Sequence, residues 1–305
     1  MAIFLHHYPA SLFSEKVRVL LGYFGATWQS VEIPSIMPRP LLMPLTGGYR
    51  KTPVLSIDAN VYCDTKIISR ALARHFDDEQ LYAHGFNAHR VADWADSQLF
   101  QVTVALNFSP EAIAAMMGNL APEEAAAFQQ DRAELAKGAS IVSFGPEAAA
   151  AYLRHHLEEL EAAVGDGFLF GPRPSIADFS VYHCLWFVQN NPVNAPRLEP
   201  YRNVLAWMAR MAAFGHGSVV DSSGEAALAA ARDAAPVPPG LGAPLPQGFA
   251  PGQNVTVTPV DYGRIPVAGR LAGWDAQEVV IERDSDETGT VMVHFPSAGF
   301  EVAAA

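Results

Sequence analysis

Lys51-Thr52-Pro53-Val54-Leu55-Ser56-Ile57-Asp58-Ala59-Asn60-Val61-Tyr62-Cys63-Asp64-Thr65 is the stretch that decides the fold. Two short apolar runs, Val54–Ile57 and Val61–Cys63, flank Asp58-Ala59-Asn60; turn residues between strand-forming runs predict an antiparallel hairpin. Pro53 heads the first run, where a missing N–H is tolerated. Asp64 closes the second run and opens a helix with Ile67, Ile68, Ala71, Leu72 and His75 on its inner side. Reading backwards, Ala2–His6 is an apolar run bounded by Pro9 and reads as a buried strand. Ser14 opens a helix with Val17, Leu20, Leu21 and Phe24 on one face and Gly25 at its C-terminal cap. Trp28–Ile33 reads as a further strand, after which Pro34, Pro38, Pro40 and Pro44 exclude a regular helix. Residues 1–80 therefore run β-α-β-loop-β-β-α.

Reading forwards, the period changes to that of helices over residues 86–234. Val91, Trp94, Leu99 and Val102 mark one helix, and Leu153, Leu157, Leu160 and Val164 another. Ser175-Ile176-Ala177-Asp178 is a capping box opening a third, and the last helices lie near Glu199–Ala213 and Ser222–Ala234. Residues 236–252 then hold six prolines and four glycines, the composition of a linker. Residues 253–305 switch to strand patterning at Val255–Thr258, Val267–Leu271, Val279–Ile281 and Val291–Phe295. About five short strands predict a small all-β, SH3-like barrel with Tyr262, Trp274, Phe295 and Phe300 as its core. It is expected to pack on the helical domain or on a dimer mate.

The 305-residue chain is 50% hydrophobic and 17% charged, which excludes disorder. Its formal charge of −12 argues against nucleic acid and anionic lipid as partners. No apolar run is long enough to span a bilayer, and no cationic leader precedes one. Two cysteines, Cys63 and Cys184, are too few for a disulfide scaffold, so a cytoplasmic enzyme acting on a small molecule is expected. The acidity is uneven: residues 1–80 hold eight cations against seven carboxylates, and residues 253–305 hold three against eight. An anionic ligand is therefore expected on the first domain. Neither Gly-x-Ser-x-Gly, a phosphate loop nor Cys-x-x-Cys occurs, and His6-His7 and His155-His156 lack metal-ligand spacing, so no metal is expected.

Three turns of the first domain are placed to share one crevice: Ser11, Thr52-Pro53 and Asp64-Thr65. A hydroxyl at a helix N-terminus sits in the positive end of the helix dipole and can donate to an anion such as a ligand's thiolate. Ser11 reads either so or as a plain N-cap. Pro53 is either cis, leaving the backbone groups of Thr52 to a peptide-like ligand, or a trans strand start. Asp64 and Thr65 are either a helix cap or a grip on both charges of an α-amino acid, Asp64 taking the ammonium and Thr65 the carboxylate. Phe100 and Trp186 read as core or as the wall of an apolar co-substrate pocket.

Four motifs in this order resemble the glutathione S-transferase family over residues 1–232. They are Tyr8-Pro9-Ala10-Ser11-Leu12-Phe13-Ser14-Glu15-Lys16-Val17-Arg18, Lys51-Thr52-Pro53-Val54-Leu55, Tyr62-Cys63-Asp64-Thr65-Lys66-Ile67-Ile68 and the capping box Ser175–Asp178. The resemblance implies a thioredoxin-like α/β domain (1–80) that binds glutathione as co-substrate, and an all-helical domain (86–234) that holds a small electrophile. It implies that Ser11 activates the thiol, with Tyr8 as second choice, and that Thr52 pairs the cysteinyl backbone before a cis Pro53. Asp64 and Thr65 grip the γ-glutamyl group, and Lys51 or Arg50 meets the glycyl carboxylate. It also implies a homodimer. Leu12 stands where the family often has proline, and the loop before Pro53 is long. Two further readings follow from the resemblance: a non-catalytic binding or scaffolding protein, and a glutathione-dependent isomerase or dehalogenase.

Overall fold

The computed structural model describes residues 1–117, 121–141, 143–240 and 244–305. The side chain of Met117 and the centre of the expected linker, 241–243, lie outside the described residues. The strands are β1 (Ile3–His7), β2 (Thr27–Glu32), β3 (Val54–Ile57), β4 (Asn60–Cys63), β5 (Ser218–Asp221), β6 (Asn254–Pro259), β7 (Val267–Trp274), β8 (Glu278–Ser285), β9 (Gly289–Pro296) and β10 (Phe300–Ala304). In the first domain the helices are α1 (Leu12–Tyr23), the single turn α2 (Met43–Thr46) and α3 (Thr65–His75). The bundle holds α4 (Gly85–Trp94), α5 (Phe100–Asn107), α6 (Pro110–Met117), α7 (Pro122–Leu135), α8 (Pro146–Ala163), α9 (Ile176–Gln189) and α10 (Arg202–Ala212). After it comes α11 (Gly224–Arg232). Among the described residues no single helix is long and apolar enough to cross a membrane.

The hairpin forms as read, β3 pairing antiparallel with β4 and with β1, while β1 pairs parallel with β2. Alternation sorts these strands between two cores. Ile3, Leu5, Leu55 and Ile57 face α1, α3 and the bundle, where they meet Val17, Leu20, Leu72, Phe179 and Trp207. Phe4, Val54, Val61 and Cys63 face the opposite way. Asp178 ties the bundle together, accepting hydrogen bonds from the backbone N–H groups of Ser175 and Leu169 and from Trp207 Nε1.

The second face corrects the expectation of a separate barrel. Among the described residues the ten strands form one sheet in the order β10-β6-β7-β8-β9-β4-β3-β1-β2-β5, joined where β9 runs parallel to β4. Val255, Val257, Val267, Leu271, Val291, Val293 and Phe295 share one core with Phe4, Val54 and Val61, and Ala227 and Leu228 of α11 complete it. Val279–Ile281 and Val291–Phe295 are buried without alternation, as strands covered on both faces are. A polar seam reinforces the joint. His294 Nδ1 lies 2.5 Å from Glu278 Oε1, its ring stacks on Tyr62 at 4.5 Å, and Arg74 of α3 donates to Glu278 at 3.0 Å. Gly47, which ends α2 at a φ of 72°, lets the Arg283 guanidinium lie against its backbone, where a Cβ would stand 2.3 Å from it. Contact with the bundle is made at the turn between β6 and β7.

Two smaller differences concern short elements. Strand β5 falls where no element is expected; it pairs parallel with β2 at the sheet edge, and its four residues are exposed. The Pro-rich loop holds one helical turn, α2, with Pro44 in its first turn, where proline is tolerated.

Candidate active site

The cleft lies where α1, the turn before β3 and the start of α3 face the bundle, and it encloses about 330 Å³. Thr52, Pro53, Asp64 and Thr65 line it, so two of the three turns converge as expected, and Lys51 lines it beside them. The Thr52–Pro53 bond is cis. Arg39, which sequence reasoning did not single out, holds this turn from the Pro-rich loop. It donates to Thr52 Oγ1 at 2.8 Å and to the carbonyls of Arg50, Pro34 and Ser35. Burial pushes its guanidinium down to about 10.

Asp64 caps α3 through a hydrogen bond from Lys66 N at 2.9 Å and has a φ of 93°, a conformation that L-residues adopt at a cost. Burial raises its carboxyl above the ordinary carboxylate range, against the pull of Lys51 and Lys66. Thr65 beside it is buried at the first position of the helix, where unpaired N–H groups favour an anion.

The third turn does not reach the cleft. Ser11 is 4% exposed, its Oγ accepts from Ser14 N at 3.2 Å as the N-cap of α1, and it is not among the lining residues. Phe13 lines the cleft instead, 4.8 Å ring to ring from both Phe100 and His183. Tyr8 packs against the second core and does not line the cleft either.

The bundle contributes Asp93, Asp96 and Ser97. Residues Ala95–Leu99 form a π-helical turn between α4 and α5, a local widening often found at functional sites. This turn brings Asp96 against Lys16 Nζ at 2.6 Å and His183 Nε2 at 3.1 Å. Burial opposes the charge on Asp96, but the Lys16 ammonium and His183 hold its carboxyl well below the usual range. A lysine on the inner face of α1 and an aspartate eighty residues later share no sequence pattern, so neither was visible as a pair. The wall opposite is built by Asp261, Tyr262, Gly299 and Phe300 from the C-terminal strands. Cys63 and Cys184 are buried thiols, pushed up by burial. His155, His156 and Glu159 do bring ligand atoms within 4.8 Å of one another, on the outer face of α8 away from the cleft.

Known proteins resemble this chain. Residues 5–80 match the glutathione S-transferase N-terminal domain, and residues 123–210 the glutathione S-transferase C-terminal domain. A GST-like protein from Pseudomonas syringae is 39% identical, with 100% of this chain and 99% of that one covered and a TM-score of 0.78. The chain belongs to the glutathione S-transferase family. Comparison with curated proteins gives no match. The family fold is shared with FzlA from C. crescentus (20% identity, 69% of this chain and 88% of that one, TM-score 0.51). It is shared too with a glutathione S-transferase from Rhodospirillum rubrum F11 (15% identity, 69% and 87%, TM-score 0.51). Family membership supports a glutathione-related thiol-transfer function in general. Since the Pseudomonas syringae likeness spans the whole chain, it takes in the C-terminal strands as well.

Proposed function

We propose that the chain binds glutathione in this cleft and activates its thiol for attack on a small electrophile held against the bundle. The observation that carries the reading is the meeting of Thr52 and Pro53 with Asp64 and Thr65 in one cleft of a family member. Asp64 takes the γ-glutamyl ammonium, a cation that offsets the burial raising its carboxyl. Thr65 and the N-terminus of α3 take the α-carboxylate, and the backbone of Thr52 pairs the cysteinyl unit. Ser11 lies outside the cleft lining; its Oγ accepts from Ser14 N, which leaves its proton to donate to a thiolate that reaches the N-terminus of α1. Lowering a thiol by about one pKa unit at such a place is worth about 1.4 kcal/mol, and holding the electrophile beside it adds proximity. Tyr8 is the second choice as donor, and the working form is a homodimer, which light scattering checks. Calorimetric titration with glutathione tests the reading. Binding in the millimolar range or tighter is expected, with Ser11→Ala losing rate more than affinity; absence of any heat at millimolar glutathione contradicts it.

A second reading, binding without turnover, is favoured by one observation: Ser11 stands outside the cleft lining while Phe13 occupies it. A panel of aryl halides, epoxides and enones separates the two. Glutathione binding with no consumption of any electrophile selects the second.

A further inference from the structure

On the glutathione-site reading above, Lys51, next to Thr52 in the cleft lining, is the cation for the glycyl carboxylate, and it already has a partner. Its Nζ lies 2.5 Å from Asp261 Oδ1 and 4.1 Å from the centre of the Tyr262 ring, both on the turn between β6 and β7. The alternative, Arg50, is paired at 2.6 Å with Asp131, and both of those side chains are buried. The turn is anchored on the bundle: Gly263 N donates to the Leu135 carbonyl at 2.8 Å, and Ser140 N to the Asp261 carbonyl at 2.7 Å. Gly263 has a φ of 60°, and a Cβ there would stand 3.0 Å from the Leu135 side chain, so the turn needs glycine to lie this close. Tyr262 stacks on Phe100 at 6.2 Å and closes this end of the cleft.

The cleft is therefore acidic, although its domain is not. Asp64, Asp93, Asp96 and Asp261 line it against Lys51 and Lys66, and Lys66 is itself paired with Asp93 at 2.5 Å. A ligand carboxylate arriving beside Lys51 meets a neutralised ammonium and a second carboxylate. A neutral or cationic group there meets a hydrogen-bond acceptor and an aromatic face.

We propose that Asp261 and Tyr262 determine specificity. They select γ-glutamyl-cysteinyl thiols whose carboxyl end is esterified, amidated or joined to an amine over free glutathione. This rests on the glutathione-site reading above. Like-charge repulsion against one partner is a common way to build such a preference. Asp261 is half-buried on its turn and belongs to neither hydrophobic core, so its substitution leaves both cores in place.

The test is calorimetric titration of the full chain with two probes, glutathione and its glycyl ethyl ester, against wild type, Asp261→Asn and Asp261→Ser. Wild type is expected to bind the ester at least tenfold more tightly. Both variants are expected to gain at least tenfold for glutathione and to lose the preference. Equal affinity for the two probes in wild type, or weaker glutathione binding by both variants, overturns the inference while leaving the glutathione site standing. Binding of neither probe by any of the three proteins overturns both. The wild-type preference decides the matter by itself should the variants fold poorly.

Discussion

The two ends of the cleft are built in different ways. At one end Asp64 and Thr65 begin α3, and Asp64 accepts its hydrogen bond from the backbone of Lys66, two residues away. Among the described residues it has no side-chain partner. At the other end Lys51 is held by Asp261, 210 residues further along, and covered by Tyr262. The near end is a local device that a short motif encodes. The far end is a tertiary device in which the chain supplies its own counter-ion, so recognition there depends on the C-terminal strands being in place.

The largest way to break this contrast is to remove the far end altogether. Deleting residues 236–305 strips β9 from β4 and uncovers a core face that holds Phe4, Val54 and Val61. The truncated chain is expected to lose cooperative thermal unfolding and to aggregate; a soluble, cooperatively melting fragment would mean that the strands are an appendage. Phe295→Ala is milder. Deleting a fully buried Phe costs about 3–5 kcal/mol, read by urea unfolding, and slackens the far end while Asp64 stays put.

Acid acts on the sheet that carries both ends, at β1. Burial lowers His6 and His7 from 6.5 to about 4, and His6 has no hydrogen-bond partner for either ring nitrogen. Below pH 6.5 the unfolded chain binds protons that the native chain refuses until about 4. Stability is therefore present above 6.5 and falls as pH drops from about 6.5 to about 4; a flat denaturation midpoint across that window contradicts the assignment. Asp64→Ala touches the near end alone. It removes a charged hydrogen-bond partner worth about 1.5–3 kcal/mol, roughly a tenfold to hundredfold loss in glutathione affinity. Smallest is Ser11→Ala, which removes the cap of α1 and costs about 0.5–2 kcal/mol of stability, checked by the same urea titration.

The same contrast explains what the sequence let one read. The hairpin, the helix starting at Asp64 and the capping box Ser175–Asp178 were legible because periodicity and turn chemistry are local. The C-terminal strands were legible as strands, but not their place. Val279–Ile281 is a continuous apolar run and Val291–Phe295 is one broken only by His294, a pattern that belongs to the middle of a large sheet and not to a small barrel. The partner of β9 in the first domain, β4, gave no sign that its outer edge was taken. Strand β5, Ser218-Val219-Val220-Asp221, is four exposed residues whose two valines are too short a run to mark a strand. In the site, Thr52, Pro53, Asp64, Thr65 and Lys51 sit on turns that motifs mark. Lys16 with Asp96, Arg39 with Thr52, and Asp261 with Lys51 are long-range pairs, and nothing in either partner's neighbourhood announces the other. The non-acidic balance of residues 1–80 likewise failed to predict an acidic cleft, since Asp93, Asp96 and Asp261 arrive from elsewhere.

The most direct test is a crystal structure of the protein soaked with the glycyl ethyl ester of glutathione. The γ-glutamyl group is expected on Asp64 and Thr65, the cysteinyl backbone against Thr52, and the ester beside Asp261 and Tyr262 with the Lys51–Asp261 pair intact. A ligand bound outside this cleft, or a cleft that stays unoccupied at saturating ligand, would contradict it.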